Sequence, residues 1–198
     1  MKNLLKNYNK KKSEIKSRLN DFSNNKDIFY ELCFCLLTPQ SSAKRADSCI
    51  KELKKLDFLN KEVDPTNILK QKIRFHNNKT KYLLEAKNNF KEHKLALKKI
   101  KDSTELRDYF VNNVKGYGLK ESSHFLRNIG YRDLAILDRH ILKNLVKFNI
   151  ISSLPQSLTT KKYLEIENKF KLFSSKFNIP IDELDLLFWS LETGEIFK

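Results

Sequence analysis

The segment Val114-Lys-Gly-Tyr-Gly-Leu-Lys120 combines residue types that could bind phosphate and act as a nucleophile. Gly116 and Gly118 can adopt positive φ and bring the backbone close to a ligand, and a predicted helix begins directly afterwards. Free amides at a helix N-terminus attract phosphate groups. The pattern therefore predicts a helix–hairpin–helix motif over about residues 104–127 that holds one DNA strand by its backbone, with Lys115 as a further phosphate contact. The alternative is a turn in which glycine only reverses the chain direction.

Lys120 lies in the first turn of the helix that follows the two glycines. The positive end of the helix dipole disfavours the charged ammonium form of this side chain, as does the neighbouring Lys115. A proton-free lysine amine is a nucleophile suited to Schiff-base chemistry. The alternative is a surface lysine that contacts phosphate, which is the commoner role of lysine in a basic protein.

Asp138 follows the apolar triplet 135–137 and precedes a predicted helix over 140–148. An aspartate at this position can cap the helix, and a capping carboxylate is held rigidly. The same carboxylate could stabilise the positive charge that develops on a sugar when a glycosidic bond breaks. The two roles are compatible. The adjacent Arg139 could contact phosphate or lie on a solvated surface.

The overall charge favours a polyanionic partner. The chain has 198 residues with 39 Lys+Arg and 24 Asp+Glu, a formal net charge of +15. Clustered lysine and arginine attract phosphate backbones through Coulomb forces and counterion release. An A+T-rich genome, which inflates the number of lysines, is the alternative explanation. No stretch approaches the ~18 apolar residues of a membrane span, and the basic segment 1–20 lacks the apolar run of a signal peptide. We therefore expect no membrane contact and a cytoplasmic, nucleoid-associated protein.

The three cysteines, Cys33, Cys35 and Cys49, predict neither a disulfide framework nor a metal centre. Their number is odd, and a four-cysteine iron–sulfur cluster needs one more. No further cysteine or histidine pair stands at ligand spacing. We interpret the cysteines as buried small apolar residues and expect no metal or other cofactor.

Apolar residues recur mostly at helical spacing, and no segment alternates strictly. This pattern predicts an all-α fold over residues 1–198, a single unit made of two helical lobes around a cleft. The spacing does not fix the lobe boundaries. Helices are predicted at about 4–22, 28–37, 79–90, 104–113, 119–127 and 140–148, with a break at Asn77 and Asn78. Four more are placed less closely: one capped by Ser41 or Ser42 and running to about 56, a short one near Ile68, one from Thr159 or Thr160 to about 177, and a last one that begins at Pro180 and Asp182 and runs through 191.

Beyond these patterns, 114–130 followed by Ile136-Leu-Asp-Arg-His-Ile141 resembles the helix–hairpin–helix DNA glycosylase superfamily. Glu31-Leu-Cys-Phe-Cys-Leu-Leu-Thr38, Lys162-Tyr-Leu-Glu-Ile-Glu167 and Glu183-Leu-Asp-Leu-Leu-Phe-Trp189 are similar to its archaeal-type 8-oxoguanine DNA glycosylase/AP lyase family. The likeness extends from about residue 27 to the C-terminus. The missing cysteine cluster agrees with it, because the endonuclease III branch usually carries an iron–sulfur cluster after the aspartate helix.

The resemblance implies a role for each matching residue. Lys120 matches the nucleophilic lysine of the family and Asp138 matches its catalytic aspartate. Trp189 and Lys198 match an aromatic residue that stacks on the flipped base and a C-terminal lysine that helps to recognise it. The second stacking aromatic falls near Phe75, where the match is looser.

Two further positions stay open. His76 is an alternative to Phe75 as the second aromatic residue. 8-Oxoguanine carries a hydrogen on N7 that guanine lacks, so discrimination needs a hydrogen-bond acceptor facing N7. A backbone carbonyl could supply it, and Gln40, in a loop after Pro39, is a weak candidate.

The expected enzyme binds double-stranded DNA that contains 8-oxoguanine or abasic sites and acts as a monomer. It flips and excises the damaged base and nicks the strand by β-elimination through a lysine Schiff base. Two alternatives remain. One is a monofunctional glycosylase for another damaged base, and the other is a non-enzymatic helix–hairpin–helix module that binds DNA.

Overall fold

The computed structural model describes residues 2–198, and over this range the chain forms eleven α-helices and no β-strand. The predicted all-α class is therefore confirmed. The helices are α1 (Lys2–Ser23), α2 (Ile28–Leu37), α3 (Ala43–Lys55), α4 (Thr66–Lys70), α5 (His76–Asn88), α6 (Phe90–Lys99), α7 (Ser103–Asn113), α8 (Leu119–Asn128), α9 (Arg139–Lys147), α10 (Thr160–Phe177) and α11 (Ile181–Thr193).

The helices belong to two compact units, and α8 contains the boundary between them. The first unit combines the N-terminal segment up to Asn25 with Leu126–Lys198, and the second is Lys26–Phe125. We call them the terminal unit and the central unit. The sequence left the boundaries of the two predicted lobes open, and the arrangement of two lobes around a cleft stays a prediction.

The central unit is built around α2, whose sequence is apolar on nearly every face. Its residues from Leu32 to Leu37 are buried, and the helix packs against α3 and α5. Cys33, Cys35 and Cys49 are buried and free, and burial raises the pKa of the Cys33 thiol. This confirms the interpretation of the cysteines as core residues.

The terminal unit is built around α11, which packs against α1, α9 and α10. The ring of Phe188 on α11 stacks on Phe148 and Phe170 with ring centroids 5.2 and 5.6 Å apart. The Tyr8 hydroxyl on α1 donates a hydrogen bond to Glu183 Oε2 at 2.5 Å. The segment before α2 is thereby fixed to the C-terminal helix.

Two details of the predicted helices are wrong. The break predicted at Asn77 and Asn78 does not exist, because α5 begins at His76 and runs through both. Asparagine destabilises a helix when it lies in the interior, where its side chain competes for the backbone hydrogen bonds. Asn77 and Asn78 lie in the first turn of α5, so they do not end the helix. The chain breaks instead at Asn89, and α6, which was not predicted, follows it.

Residues 2–198 contain neither a membrane-spanning helix nor a cluster of metal-ligating side chains. No helix in that range is both long and apolar enough to span a membrane. No group of three or more His, Cys, Asp or Glu side chains within the same residues is arranged to hold a metal ion.

Candidate active site

The glycine turn joins α7 to α8 in the central unit. The Tyr117 amide donates to Val114 O at 3.0 Å, which closes the turn, and Gly116 has a φ of +93°. A Cβ atom at Gly116 would lie 2.5 Å from the ring of Tyr82, so both the backbone angle and the space require glycine. Tyr117 is buried and its hydroxyl donates to Leu32 O at 2.9 Å, which anchors the turn on α2.

Glu121 organises the start of α8, and the sequence analysis did not identify it. Its Oε2 accepts a hydrogen bond from the Gly118 amide at 3.2 Å, the reach-back half of a capping box. Its Oε1 lies 2.9 Å from Lys120 Nζ, and the two side chains are 14% and 24% exposed. Glu121 therefore holds the amine beside the glycine turn. The sequence signal for this role is the spacing of a capping box, in which an acidic residue, here Glu121, stands three positions after the N-cap residue, here Gly118.

Phosphate binding at the turn stays a prediction. The amides of Tyr117 and Gly118 already donate within the protein, to Val114 O and to Glu121. Lys115 is exposed, and its Nζ lies 3.9 Å from Glu85 Oε2 at the surface. The side chain is therefore accessible to a phosphate group, and the exposed Gly116 lies next to it.

Lys79 on α5 is a second lysine near Lys120 that the sequence analysis missed. It is only 5% exposed, and its Nζ donates to Leu37 O at 2.8 Å and to Pro39 O at 2.6 Å. The pKa of Lys79 is lowered to about 8, mainly by burial and also by the positive charge of Lys120, and Glu121 partly opposes this shift. Lys79 and Lys120, which we call the lysine pair, thus form a like-charged cluster within one unit.

Gln40 and Phe75 share an unusual backbone conformation, with φ of 54° and 57°. Among residues 2–198, the other non-glycine residues with positive φ are all Asp or Asn, which tolerate it. The Phe75 ring is 55% exposed, and the Arg74 guanidinium lies 5.6 Å from its centroid. Strained backbone conformations of this kind are concentrated at functional sites. Both side chains are also exposed, and their roles in base recognition stay predictions.

Asp138 lies in the terminal unit, where it caps α9. Its Oδ1 accepts a hydrogen bond from the Ile141 amide at 2.8 Å, so the predicted N-cap is confirmed. The side chain is half-buried, and the neighbouring Arg139 is exposed. The carboxylate is therefore fixed in direction but still accessible. Its catalytic role stays a prediction.

Asp138 also belongs to a buried acidic cluster that was not predicted. We call Asp138, Asp182 and Asp185 the carboxylate group. Arg127 Nη1 donates to Asp185 Oδ2 at 2.9 Å, and these side chains are 2% and 6% exposed. The pKa of Asp185 is raised to about 7, mainly by burial. The positive charge of Arg127 opposes the rise, and the charges of Asp138 and Asp182 contribute to it.

Trp189 and Lys198 lie in the same unit as Asp138. The Trp189 ring is partly exposed, edge-on to His140 and stacked on Phe197, with both centroids 6.4 Å away. Gly194, at φ 85°, ends α11 and turns the last residues back. Lys198 directly follows the ring that covers Trp189. Part of the Trp189 ring is therefore accessible, and the roles of Trp189 and Lys198 in base recognition stay predictions.

The predicted site residues therefore form two sets. The central unit contains the glycine turn, Lys120 and the strained positions 40 and 75. The terminal unit contains Asp138, Arg139, Trp189 and Lys198. His76, the alternative to Phe75, is the first residue of α5 and is less exposed than Phe75.

Comparison with known proteins identifies the family of the chain. The family model described as 8-oxoguanine DNA glycosylase matches residues 9–179. An 8-oxoguanine DNA glycosylase/AP lyase from Fusobacterium nucleatum is 45% identical, with 96% of this chain and 94% of that protein covered. Its counterpart from Methanocaldococcus jannaschii is 38% identical, with 95% of each covered.

Solved structures show the same likeness. The crystal structure of the Methanocaldococcus jannaschii 8-oxoguanine glycosylase/lyase in complex with a 15mer DNA containing 8-oxoguanine matches with a TM-score of 0.90. It is 36% identical, and the match covers 100% of both chains. The 8-oxoguanine DNA glycosylase of Thermotoga maritima matches with a TM-score of 0.88 at 30% identity, covering 100% of this chain and 97% of that one. The chain therefore belongs to the 8-oxoguanine DNA glycosylase family.

Proposed function

We propose that this chain excises 8-oxoguanine from duplex DNA and then cleaves the abasic strand. The observation that carries the proposal is the position of Lys120, whose amine is held by Glu121 in the first turn after the glycine hairpin. Membership of the family, whose relatives are named for both activities, supports the substrate and the reaction.

Lys120 provides the nucleophile. Once proton-free, its amine attacks C1′ of the deoxyribose, and the bond from C1′ to N9 breaks with its electron pair leaving on the base. The sugar ring opens to give an imine between C1′ and Nζ. The imine makes the C2′ proton acidic. When this proton is lost, the bond from C3′ to the phosphate oxygen breaks and the 3′ phosphate leaves. The strand is thereby cleaved by β-elimination, and water releases the lysine.

Asp138 provides electrostatic stabilisation. The sugar becomes positively charged as the base departs, and a fixed carboxylate stabilises such a charge better than mobile water does. The hydrogen bond from the Ile141 amide fixes the direction of the carboxylate. The same interaction explains why the capping and catalytic roles fall on one residue.

Recognition of the damaged base is assigned to four residues. Trp189 and Phe75 each offer a ring face for stacking, and the exposed fraction of Phe75 supports this role. Lys198 contributes to the recognition of the flipped base. Gln40 supplies an amide oxygen as a candidate acceptor for the N7 hydrogen, which guanine lacks.

Contacts with the DNA backbone are assigned to four residues: Lys115, Gly116 and Gly118 of the turn, and Arg139 at the start of α9. These contacts read no sequence, which suits an enzyme that must act wherever damage occurs. The net charge of +15 supports a duplex partner. Action as a monomer and association with the nucleoid are part of the same proposal.

A nicking assay tests the proposal. Duplex oligonucleotides carry 8-oxoguanine opposite each of the four bases, and matched duplexes carry guanine. We expect cleavage of the damaged strand only, and a covalent protein–DNA adduct when borohydride is present. Base release without nicking or adduct would indicate a monofunctional glycosylase. Salt-sensitive binding with no preference for 8-oxoguanine would indicate a non-enzymatic module.

A further inference from the structure

The loop after α2 is held by a buried ammonium group. The Lys79 side chain reaches from α5 to Leu37 O, Pro39 O and, at 3.3 Å, Ser41 Oγ. These acceptors lie at the end of α2 and on both sides of Gln40. A lysine has three donor hydrogens, and this arrangement uses them on three acceptors. One side chain thus fixes the backbone that presents Gln40.

The same network reaches the turn that presents Phe75. Ser41 Oγ accepts a hydrogen bond from the Arg74 amide at 3.2 Å, and the Lys79 amide donates to Phe75 O at 3.1 Å. The bond from the Lys79 amide is the ordinary first-turn bond of α5, so the Lys79 side chain reaches this turn through Ser41 Oγ. The two turns contain the two positions where a residue other than Gly, Asn or Asp adopts positive φ within residues 2–198. Such conformations persist only where the surroundings enforce them.

The burial of Lys79 is costly, which argues against an incidental contact. Desolvation opposes its charged form, and the pKa of Lys79 falls to about 8 as a result. The charged groups that act on it are Lys120, which disfavours its charge, and Glu121, which favours it. An apolar residue would fill the same position without this cost, but it could not bind the carbonyls of Leu37 and Pro39.

We propose that Lys79 is a positioning residue that holds the Gln40 loop against the start of α5 and so fixes Gln40 and Phe75 for recognition of the damaged base. The proposal rests on the function proposed above for Gln40 and Phe75. It assigns no contact between Lys79 and the DNA.

Activity measurements separate positioning from general stability. Lys79→Met removes the charge and the donors at similar length, and Lys81→Met removes one exposed charge from the same helix as the matched control. Single-turnover rates are measured for excision of 8-oxoguanine and for β-elimination at a preformed abasic site. We expect Lys79→Met to slow excision about tenfold or more relative to elimination, because small displacements of recognition groups are costly. Lys79→Arg restores part of the ratio, and Lys81→Met leaves it unchanged.

Equal losses of both rates in Lys79→Met, or no loss, would overturn the proposal. Ser41→Ala removes one acceptor and leaves the core intact, so it provides a milder variant in case Lys79→Met does not fold. We expect a few-fold fall in the same ratio for Ser41→Ala.

Amide hydrogen exchange tests the proposal independently of activity. Lys79→Met should exchange faster than Lys81→Met in peptides that cover residues 38–42 and 75–79. Equal exchange in the two variants would overturn the positioning role even if the wild-type protein excises 8-oxoguanine. Faster exchange with no wild-type activity on 8-oxoguanine would support the positioning of the loop and contradict the proposed function instead.

Discussion

The lysine pair of the central unit and the carboxylate group of the terminal unit are electrostatic opposites. Each cluster contains one partly exposed member, Lys120 or Asp138. The buried members of the same charge are Lys79 in the lysine pair and Asp182 and Asp185 in the carboxylate group. Burial shifts Lys79 and Asp185 towards their neutral forms, since the pKa of Lys79 falls to about 8 and that of Asp185 rises to about 7. Each cluster thus places a titratable group with a shifted pKa near a residue for which a catalytic role is proposed.

The two clusters differ in how the buried charge is compensated. Lys79 binds backbone carbonyls and a serine hydroxyl, whereas Asp185 is paired with the full charge of Arg127. Perturbed titratable groups are characteristic of functional sites. The difference agrees with the positioning role proposed for Lys79, whereas the buried Arg127–Asp185 pair lies near Asp138, for which a catalytic role is proposed.

Replacing Lys120, the member of the lysine pair that is proposed to react, should have the largest effect on activity. Lys120→Gln removes the amine, so nicking and borohydride trapping should fall by about 10³-fold or more. DNA binding should fall only slightly, because one positive charge of many is lost. A Lys120→Gln protein that still nicks 8-oxoguanine DNA would contradict the assignment.

Replacing Asp138 tests the member of the carboxylate group that is proposed to take part in catalysis. Asp138→Asn keeps a good N-cap for α9 but removes the negative charge, so excision should slow about 100-fold with little change in stability. Asp138→Ala should show the same slow excision and also lose about 1 kcal/mol of the free energy of unfolding. If both variants excised 8-oxoguanine at the wild-type rate, the carboxylate would be only a cap.

The buried members should show opposite pH dependence in the free energy of unfolding. The pKa of Lys79 lies at about 8, below its ordinary 10.5, so between these values the unfolded chain binds the extra proton and stability rises with pH. The pKa of Asp185 lies at about 7, above its ordinary 3.8, so between these values the folded chain binds the extra proton and stability falls as pH rises.

Urea unfolding across pH measures both slopes by difference from Lys79→Met and Asp185→Asn. Each contribution should reach at most about 1.4 kcal/mol per pH unit in its own range. Parallel curves for wild type and variant would show that the buried group titrates as it does in the unfolded chain. The comparison of the two clusters would then lose its physical basis.

Glu121 should give the smallest effect. Glu121→Ala removes both the acceptor for the Gly118 amide and the partner of Lys120, and should lower the free energy of unfolding by about 1 kcal/mol. Glu121→Gln keeps an oxygen for the amide and should lose less than half of that. Equal losses would indicate that the ion pair, and not the helix cap, provides the stability.

Features that depend on a few consecutive residues could be predicted from the sequence alone. The glycine spacing predicted the hairpin, the apolar periodicity predicted an all-α chain, and the position of Asp138 before a helix predicted its cap. Such signals are local, because a helix start or a tight turn is decided by a few consecutive residues.

The buried members of the two clusters could not be predicted in this way. Lys79 stands in a helix rich in lysines, and only its contacts with Leu37 and Pro39, distant in sequence, distinguish it from its neighbours. Asp185 carried a weak signal, as an acidic residue in an otherwise apolar stretch of α11, but its arginine partner lies on another helix. Burial of charge is decided by tertiary packing, which spacing does not record.

Peptide mapping of the borohydride-trapped adduct tests the central claim most directly. The wild-type protein is trapped on 8-oxoguanine DNA, digested, and the modified peptide is identified by mass. The account predicts that the sugar remnant is attached to Lys120. Attachment to Lys79, whose pKa of about 8 also suits a nucleophilic amine, or the absence of any adduct would contradict it.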